Sequence, residues 1–179
     1  TTLLSAAITA NAQDFGFDWR TISDPGNRPL LAGEGGWNPD LPPDISGSVD
    51  YEYRIMRTEV TVKDQLEFAT AFWPYSGGTF RSASDLIGDT FIGAENFSAA
   101  PDEDPGLFTI PEFERKPAAM TYRMWARFAN WIHNDKADAA WAFESGVYDT
   151  STFGRGENSF LTDQIGASPG ARIWIPTLD

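Results

Sequence analysis

The stretch TYRMWARFANWIHN, residues 121–134, has the clearest periodicity in the chain. Its polar residues recur at the spacing of one narrow stripe along an α-helix, and they are Arg123, Arg127, Asn130 and Asn134. Almost every other position is apolar, so we expect only this stripe to face solvent and the helix to pack on two or more sides. The sequence therefore predicts a helix over residues 122–133, in which Thr121 is the N-cap and Asn134 is the C-terminal stop.

A second helix is predicted upstream, where residues 61–73 show amphipathic spacing. Thr61 and Asp64 are three residues apart at its start, which resembles a capping box. The apolar stripe that follows consists of Val62, Leu66, Ala69 and Trp73, widened by Phe68 and Phe72. Pro74 and the pair Gly77-Gly78 are predicted to end this helix. A shorter helical turn is expected within residues 137–143.

Two short strands are predicted from alternating side chains. The stretch YEYRIM, residues 51–56, alternates between large apolar and mostly polar side chains, which is the period of a half-buried strand. The stretch RIWI, residues 172–175, alternates in the same way and predicts a final strand. Glycine and proline punctuate much of the remaining chain and favour loops. The predicted fold class is therefore α/β (α+β) in a single domain with little regular secondary structure.

Composition limits the classes of function. The chain has 179 residues, of which 41% are hydrophobic and 14% are aromatic, which is enough for one folded core. The formal net charge of −13 disfavours nucleic acid and anionic lipid as partners, while divalent cations remain possible ligands. The absence of cysteine excludes a disulfide scaffold, a thiol nucleophile and a thiolate metal site within these residues. No run approaches the roughly 18 to 20 apolar residues of a membrane-spanning segment.

The two ends of the sequence predict a piece of a longer exported protein. Residues 1–12 are interpreted as a signal-peptide remnant, because a short apolar stretch ends in Ala10-Asn11-Ala12, the small-x-small pattern of a cleavage site. A small-residue helix at the start of a domain is the alternative. With a signal remnant, the mature chain would begin near Gln13 and would be secreted, periplasmic or at the cell surface. Residues 172–179 resemble a strand that leads into a helix, so we expect the polypeptide to continue.

Three blocks, in this order, resemble the sulfatase-modifying-factor domains, the relatives of formylglycine-generating enzymes. They are YRIMRTEVT at residues 53–61, KPAAMTY at 116–122 with ARFANWI at 126–132, and ARIWIPT at 171–177. The match covers about residues 49–179 and is closest in style to exported bacterial members. Thr121-Tyr122 stands where many relatives have Ser-Trp, and Leu178 stands where a glutamate often follows Pro-Thr.

This resemblance implies a C-type-lectin-like fold and a division of the chain into three parts. These are the signal remnant 1–12, an irregular arm rich in proline and glycine at 13–48, and the N-terminal portion of the domain at 49–179. In formylglycine-generating enzymes a pair of C-terminal cysteines binds copper, and calcium sites also lie downstream. The resemblance therefore places copper and calcium only in a C-terminal region that these residues do not include. We assign no catalytic, cofactor-binding or metal-binding residue in this chain.

Two functions remain open after the resemblance. The first is a fragment of an exported sulfatase-modifying-factor domain whose catalytic half is not present and whose partner would be a client polypeptide. The second is a non-catalytic, secreted, C-type-lectin-like module that binds an extracellular ligand or has a structural role. Neither function predicts a nucleic-acid partner or a membrane-spanning segment.

Two ionisable residues, His133 and Glu59, are candidates for a functional site, and their positions in the sequence favour a structural role for both. His133 ends the helix over 122–133, where a histidine commonly interacts with the helix dipole or caps carbonyl groups. A metal or catalytic role for it would need partners that no second histidine or cysteine supplies. Glu59 lies between a strand and a capped helix, and we expect it to be buried and paired with Arg54, Arg57 or an arginine of the later helix.

Aromatic and acidic residues outside the helices leave further alternatives. Core packing is expected for five tryptophans, with a platform for sugars or peptides as the alternative: Trp19, Trp37, Trp73, Trp141 and Trp174. Trp19, Trp37 and Leu41 are expected to fix the irregular arm to a core. The acidic run 101–105 predicts a solvated loop, with a calcium loop as the alternative. The triplet 96–98 fits a glycosylation acceptor if the host glycosylates secreted proteins.

Overall fold

A computed structural model describes residues 14–28, 49–77, 114–153 and 159–175. The chain divides into two compact units, with the boundary after Thr58. The described residues of the first unit are 14–28 and 49–58. Those of the second unit are 59–77, 114–153 and 159–175.

The first unit contains a two-stranded antiparallel sheet. Strand β1 spans Trp19–Ile22 and strand β2 spans Tyr53–Met56, and Trp19 lies opposite Met56. The predicted strand within 51–56 is confirmed as β2, whereas β1 was not predicted. The Arg54 guanidinium lies 5.3 Å from the centre of the Trp19 ring, and Trp19 Nε1 donates to the carbonyl oxygen of Asp14 at 2.6 Å. Trp19 is therefore half-buried against its own sheet.

In the second unit, helix α1 spans Val62–Phe72 and begins with the predicted capping box. The Thr61 N–H donates to Asp64 Oδ2 at 2.9 Å, and the Asp64 N–H donates to Thr61 Oγ1 at 3.3 Å. Two further N–H groups of the first turn donate to the segment before the next helix, Val62 to Lys116 O and Lys63 to Glu114 O. These bonds satisfy donors that a helix start leaves without an intrahelical partner.

Helix α1 ends as the sequence predicts. Phe72 is its last residue, and a short 3₁₀ turn over Trp73–Tyr75 contains Pro74. Gly77 follows with φ of +70°, a left-handed conformation in which glycine carries no steric penalty.

Helix α2 spans Tyr122–His133, the predicted range, between Thr121 and Asn134. Thr121 takes the N-cap position without a side-chain hydrogen bond, and its carbonyl oxygen accepts from the Trp125 N–H at 3.0 Å. The buried residues of α2 are Met124, Ala126, Phe128, Ala129, Asn130, Trp131 and Ile132. Because Phe128 and Trp131 contact Phe68 of α1, the two helices share one aromatic core.

The predicted turn within 137–143 is shifted slightly and forms helix α3, Trp141–Glu144. The prediction of a strand over 172–175 is wrong. Its burial does alternate, since Ile173 and Ile175 are half-buried while Arg172 and Trp174 are exposed. The N–H of Ile175 donates to the Tyr148 hydroxyl at 2.9 Å instead of to a neighbouring strand. The alternation therefore reflects an extended segment held by side chains.

The observed fold class is mixed α+β, with one small two-stranded sheet and three helices among the described residues. None of the helices in that part of the chain combines the length and the apolar character that crossing a bilayer requires.

Candidate functional site

Asn130 lies in the middle of the polar stripe of α2 and is completely buried. Its Nδ2 donates to the carbonyl oxygens of Phe143 and Tyr148, each at 2.9 Å. Its Oδ1 accepts from the backbone N–H groups of Val147 and Tyr148, each at 2.8 Å. All four hydrogen-bonding positions of the amide are therefore occupied by backbone groups. The prediction that the stripe faces solvent is wrong at Asn130, because its amide forms hydrogen bonds with buried backbone groups of residues 143–148.

The two arginines of the stripe form ion pairs with the segment that follows α2. Arg123 binds Asp163 through two bonds of 2.7 Å, and the Asp163 side chain is only 4% exposed. Arg127 binds Glu144 through bonds of 3.1 and 3.3 Å, and the Thr150 hydroxyl donates to the same carboxylate. Fork-shaped pairs of this kind fix orientation as well as charge. Arg123 therefore holds a loop against α2, and Arg127 holds the end of the short helix α3.

Phe153 lies beside both guanidinium groups. The Arg123 and Arg127 guanidinium carbons are 5.4 and 5.3 Å from the centre of its ring. A cation over an aromatic face is attracted to the π electrons. The two ion pairs and the Phe153 ring together form a structural cluster, in which both guanidinium groups bind other side chains of the chain.

Two tyrosine hydroxyls form further links to the loops. The Tyr122 hydroxyl donates to the carbonyl oxygen of Gln164 at 2.5 Å, and burial is the main cause that raises the pKa of Tyr122 to about 12. Burial also raises the pKa of Tyr148, although the hydrogen bond from the Ile175 N–H acts in the opposite direction. Both phenols stay neutral near pH 7 and serve as hydrogen-bonding groups.

His133 is held at the end of α2 by Arg172. The Arg172 backbone N–H donates to His133 Nδ1 at 3.3 Å, and the Arg172 guanidinium donates to the His133 carbonyl oxygen. Burial, followed by the positive charge of Arg172, lowers the pKa of His133, while Asp135 opposes this. A neutral imidazole accepts the bond, and Arg172 caps the helix carbonyl. The sequence predicts that His133 itself interacts with the helix dipole or caps carbonyl groups at the end of α2. In the structure Arg172 caps the His133 carbonyl, and the imidazole accepts a hydrogen bond.

Asn134, the next residue, holds the segment around α3. Its Nδ2 donates to the carbonyl oxygens of Ala142 and Ser145 at 3.0 and 2.8 Å. His133 and Asn134 therefore bind two different segments at the same end of α2. One segment carries Trp174 and the other carries Trp141.

Trp141 and Trp174 are the exposed tryptophans of the second unit's described residues, with 57% and 40% of their surfaces accessible. Core packing was expected for both, and that expectation is wrong. In α3 the inward positions are taken by Ala142 and Phe143, which directs Trp141 outward. Of the other tryptophans considered from the sequence, Trp19 and Trp73 are half-buried.

Glu59 is exposed, so the prediction that it forms a buried ion pair is wrong. Its predicted partners on α2 bind other carboxylates, since Arg123 pairs with Asp163 and Arg127 pairs with Glu144.

In the described segments, no three histidine, cysteine, aspartate or glutamate side chains converge to hold a metal ion. The acidic run 101–105, the triplet 96–98, Trp37 and Leu41 lie outside the described residues. The copper and calcium predictions concern a C-terminal region and remain predictions.

Comparison with family models, with characterised proteins and with solved structures gave no match. The candidate site therefore depends on the chain's own geometry. In the described part of the second unit, the polar stripe of α2 holds neighbouring segments of the chain, and Trp141 and Trp174 expose aromatic surface to which a ligand can bind.

Proposed function

We propose that the chain belongs to an exported domain of the sulfatase-modifying-factor type and acts as a non-catalytic binding module through Trp141 and Trp174. The three sequence blocks support the family, and the mixed α+β architecture of the described residues is compatible with a C-type-lectin-like fold. These 179 residues contain no cysteine, but the resemblance places the copper-binding pair downstream, so the binding role rests on the exposed tryptophans and not on that absence.

The observation that carries the binding role is the exposure of two tryptophans on backbone that is held in place. The segment of Trp141 is bonded to Asn134, and the segment of Trp174 is bonded to His133. A large aromatic ring on a fixed backbone loses little conformational entropy when it binds. Tryptophan combines a large apolar face with a polar N–H group, and it is enriched at interaction surfaces.

A neutral carbohydrate is the ligand class that fits these features best. The net charge of −13 disfavours polyanions, including acidic glycans and nucleic acid. The described arginines of α2 are paired with carboxylates. Flat aromatic faces offer apolar contact to the C–H faces of sugar rings without requiring a charged partner.

The binding role is tested by titrating the chain with a panel of neutral oligosaccharides and following tryptophan fluorescence and heat of binding. We expect saturable binding that weakens by about tenfold or more in Trp141→Ala and in Trp174→Ala, which corresponds to about 1.4 kcal/mol. Leu161→Ala is the matched control, because Leu161 is an exposed apolar residue with 74% of its surface accessible. Binding that is equal in all three variants, or absent from the whole panel, would refute the role.

The enzymatic alternative is tested with a cysteine-containing client peptide, copper and oxygen. We expect no formylglycine product from the 179-residue chain, measured by the mass of the peptide. Measurable turnover would show that this polypeptide is an oxidase and would overturn the non-catalytic proposal.

A further inference from the structure

We propose that His133 is an acid-sensitive latch, which holds residues 171–175 against α2 while its imidazole is neutral and releases them when it is protonated. The latch has two bonds, both from Arg172. The backbone N–H of Arg172 donates to His133 Nδ1 at 3.3 Å, and its guanidinium donates to the His133 carbonyl oxygen. Protonation of Nδ1 removes the acceptor of the first bond.

The charged groups that face His133 make protonation unfavourable in the closed state. Arg172 approaches from the held segment, and Asp135 approaches from the turn after α2, 3.7 Å from the Arg172 guanidinium. On the side of the segment after α3, the imidazole meets Gly146, where an added Cβ would lie 3.0 Å from His133 Cδ2. An imidazolium ring would therefore be repelled by the positive charge of Arg172, with Asp135 as partial compensation.

The pKa of His133 fixes the direction of the effect. Burial and then Arg172 lower it from the ordinary value of 6.5. A group with a lowered pKa of this type contributes stability above its ordinary pKa, and that contribution is lost as the pH falls through the lowered value. The latch is therefore closed near pH 7 and is weakened in acid.

Hydrogen bonds between described residues attach the held segment near both of its ends. Arg172 is bonded to His133 at one end, and the Ile175 N–H donates to the Tyr148 hydroxyl at the other. Between them, Ile173 packs against the core cluster formed by Ala126, Ala129, Val147 and Tyr148. Trp174 lies in the same segment, so its position is fixed only while the segment is held. Any effect on ligand affinity rests on the proposed function, whereas the latch itself does not.

The test is a pH titration of the isotope-labelled full chain by NMR, without ligand. His133 is the only histidine in the sequence, so its imidazole signal reports one site. We expect its midpoint to lie below 6.5 and the amide signals of Arg172 and Ile175 to move with the same midpoint. After correction for intrinsic rates, the exchange of these two amides should accelerate about tenfold for each unit that separates the open and closed pKa values.

A matched variant and an internal control make the test specific. His133→Asn places an amide oxygen where Nδ1 lies but does not titrate, so the two amides should stay protected through the same pH range. The Gln164 amide, which belongs to a segment held by Arg123 and Tyr122, should be insensitive in both proteins. Amides of Arg172 and Ile175 that ignore the His133 midpoint in the natural chain would refute the latch, and this outcome does not require the variant to fold. Equal acid sensitivity in a folded His133→Asn variant would also refute it.

Discussion

The two faces of helix α2 hold their partners by different physical means. One face packs apolar rings against α1, where Phe68 meets Phe128 and Trp131 at ring distances of 5.6 and 6.0 Å. The other face uses an amide and two guanidinium groups to hold the end of the short helix α3 and irregular segments that follow it. The apolar contact depends on area and shape, while the polar contact depends on donors and acceptors matched one by one. The contribution of each polar contact to the free energy of unfolding should therefore decrease as its exposure increases, from the buried Asn130 to the ion pairs at the surface.

The largest effect is expected on the apolar face, from Phe68→Ala. Phe68 is 1% exposed and contacts several rings, among them Phe72 and Phe143. Its removal leaves a cavity between α1 and α2, with an expected loss of about 3–5 kcal/mol in the free energy of unfolding. Chemical denaturation followed by circular dichroism measures this loss. Phe68→Leu is the control and should lose less because leucine fills part of the cavity, and equal losses would mean that cavity volume does not set the cost at this position.

The second largest effect is expected from Asn130→Ala. The substitution removes the partners of two buried N–H groups and two carbonyl groups, and we expect a loss of about 2–4 kcal/mol because unsatisfied buried groups are costly. Amide exchange at Val147 and Tyr148 should increase while that of α1 changes little below global unfolding. Asn130→Asp is the matched control, because it keeps the acceptor for both N–H groups but places a carboxylate against two carbonyl oxygens. An alanine variant as stable as the natural chain would show that the buried amide does not hold the loop.

The contrast between these faces also explains what the sequence could predict. Helix α1 and its cap follow from local signals, since Thr61 and Asp64 bond to each other three residues apart. Asn130 could not be recognised as a buried hub, because an amide on a polar stripe looks the same whether it meets water or a loop backbone. The strand expected at residues 172–175 failed for a related reason. There, Ile173 and Ile175 pack against the core, and this packing produces the alternating burial. The periodicity of a sequence does not reveal whether a neighbouring strand exists.

The candidate site was less predictable than the helices. Trp141 and Trp174 were identified as possible platforms, but tryptophan is more often buried, and their exposure follows from how α3 and the last described segment are attached. Those attachments pair Asn134 with Ser145 and His133 with Arg172, the second across 39 positions. The spacing of residues in a single sequence carries no signal for such distant pairs.

A third prediction compares the two arginines of the polar face. Arg123→Met leaves the nearly buried carboxylate of Asp163 without its bidentate partner, and we expect a loss of about 2–3 kcal/mol. Arg127→Met should lose about 1 kcal/mol, because the Glu144 side chain is 41% exposed and water can replace the guanidinium. Thermal and chemical denaturation of both variants gives the comparison. The reverse order would mean that burial of the carboxylate does not set the strength of these pairs.

The smallest effect is expected where a similar ion pair lies at the surface. Lys136 Nζ is 2.8 Å from both carboxylate oxygens of Glu67, closer than the Arg127 pair, yet the two side chains are 38% and 51% exposed. Glu67→Gln should therefore change the free energy of unfolding by less than about 1 kcal/mol, because an exposed pair gains little over hydrated charges. In the natural chain Lys136 Nζ also lies 5.1 Å from the centre of the Trp131 ring, a contact whose two partners this substitution leaves unchanged. Raising the salt concentration should lower the free energy of unfolding of the natural chain towards that of the variant. The hydrogen bonds of Asn130 should not be weakened by salt. If Glu67→Gln cost as much as Arg123→Met, distance rather than burial would determine the strength of polar contacts in this unit.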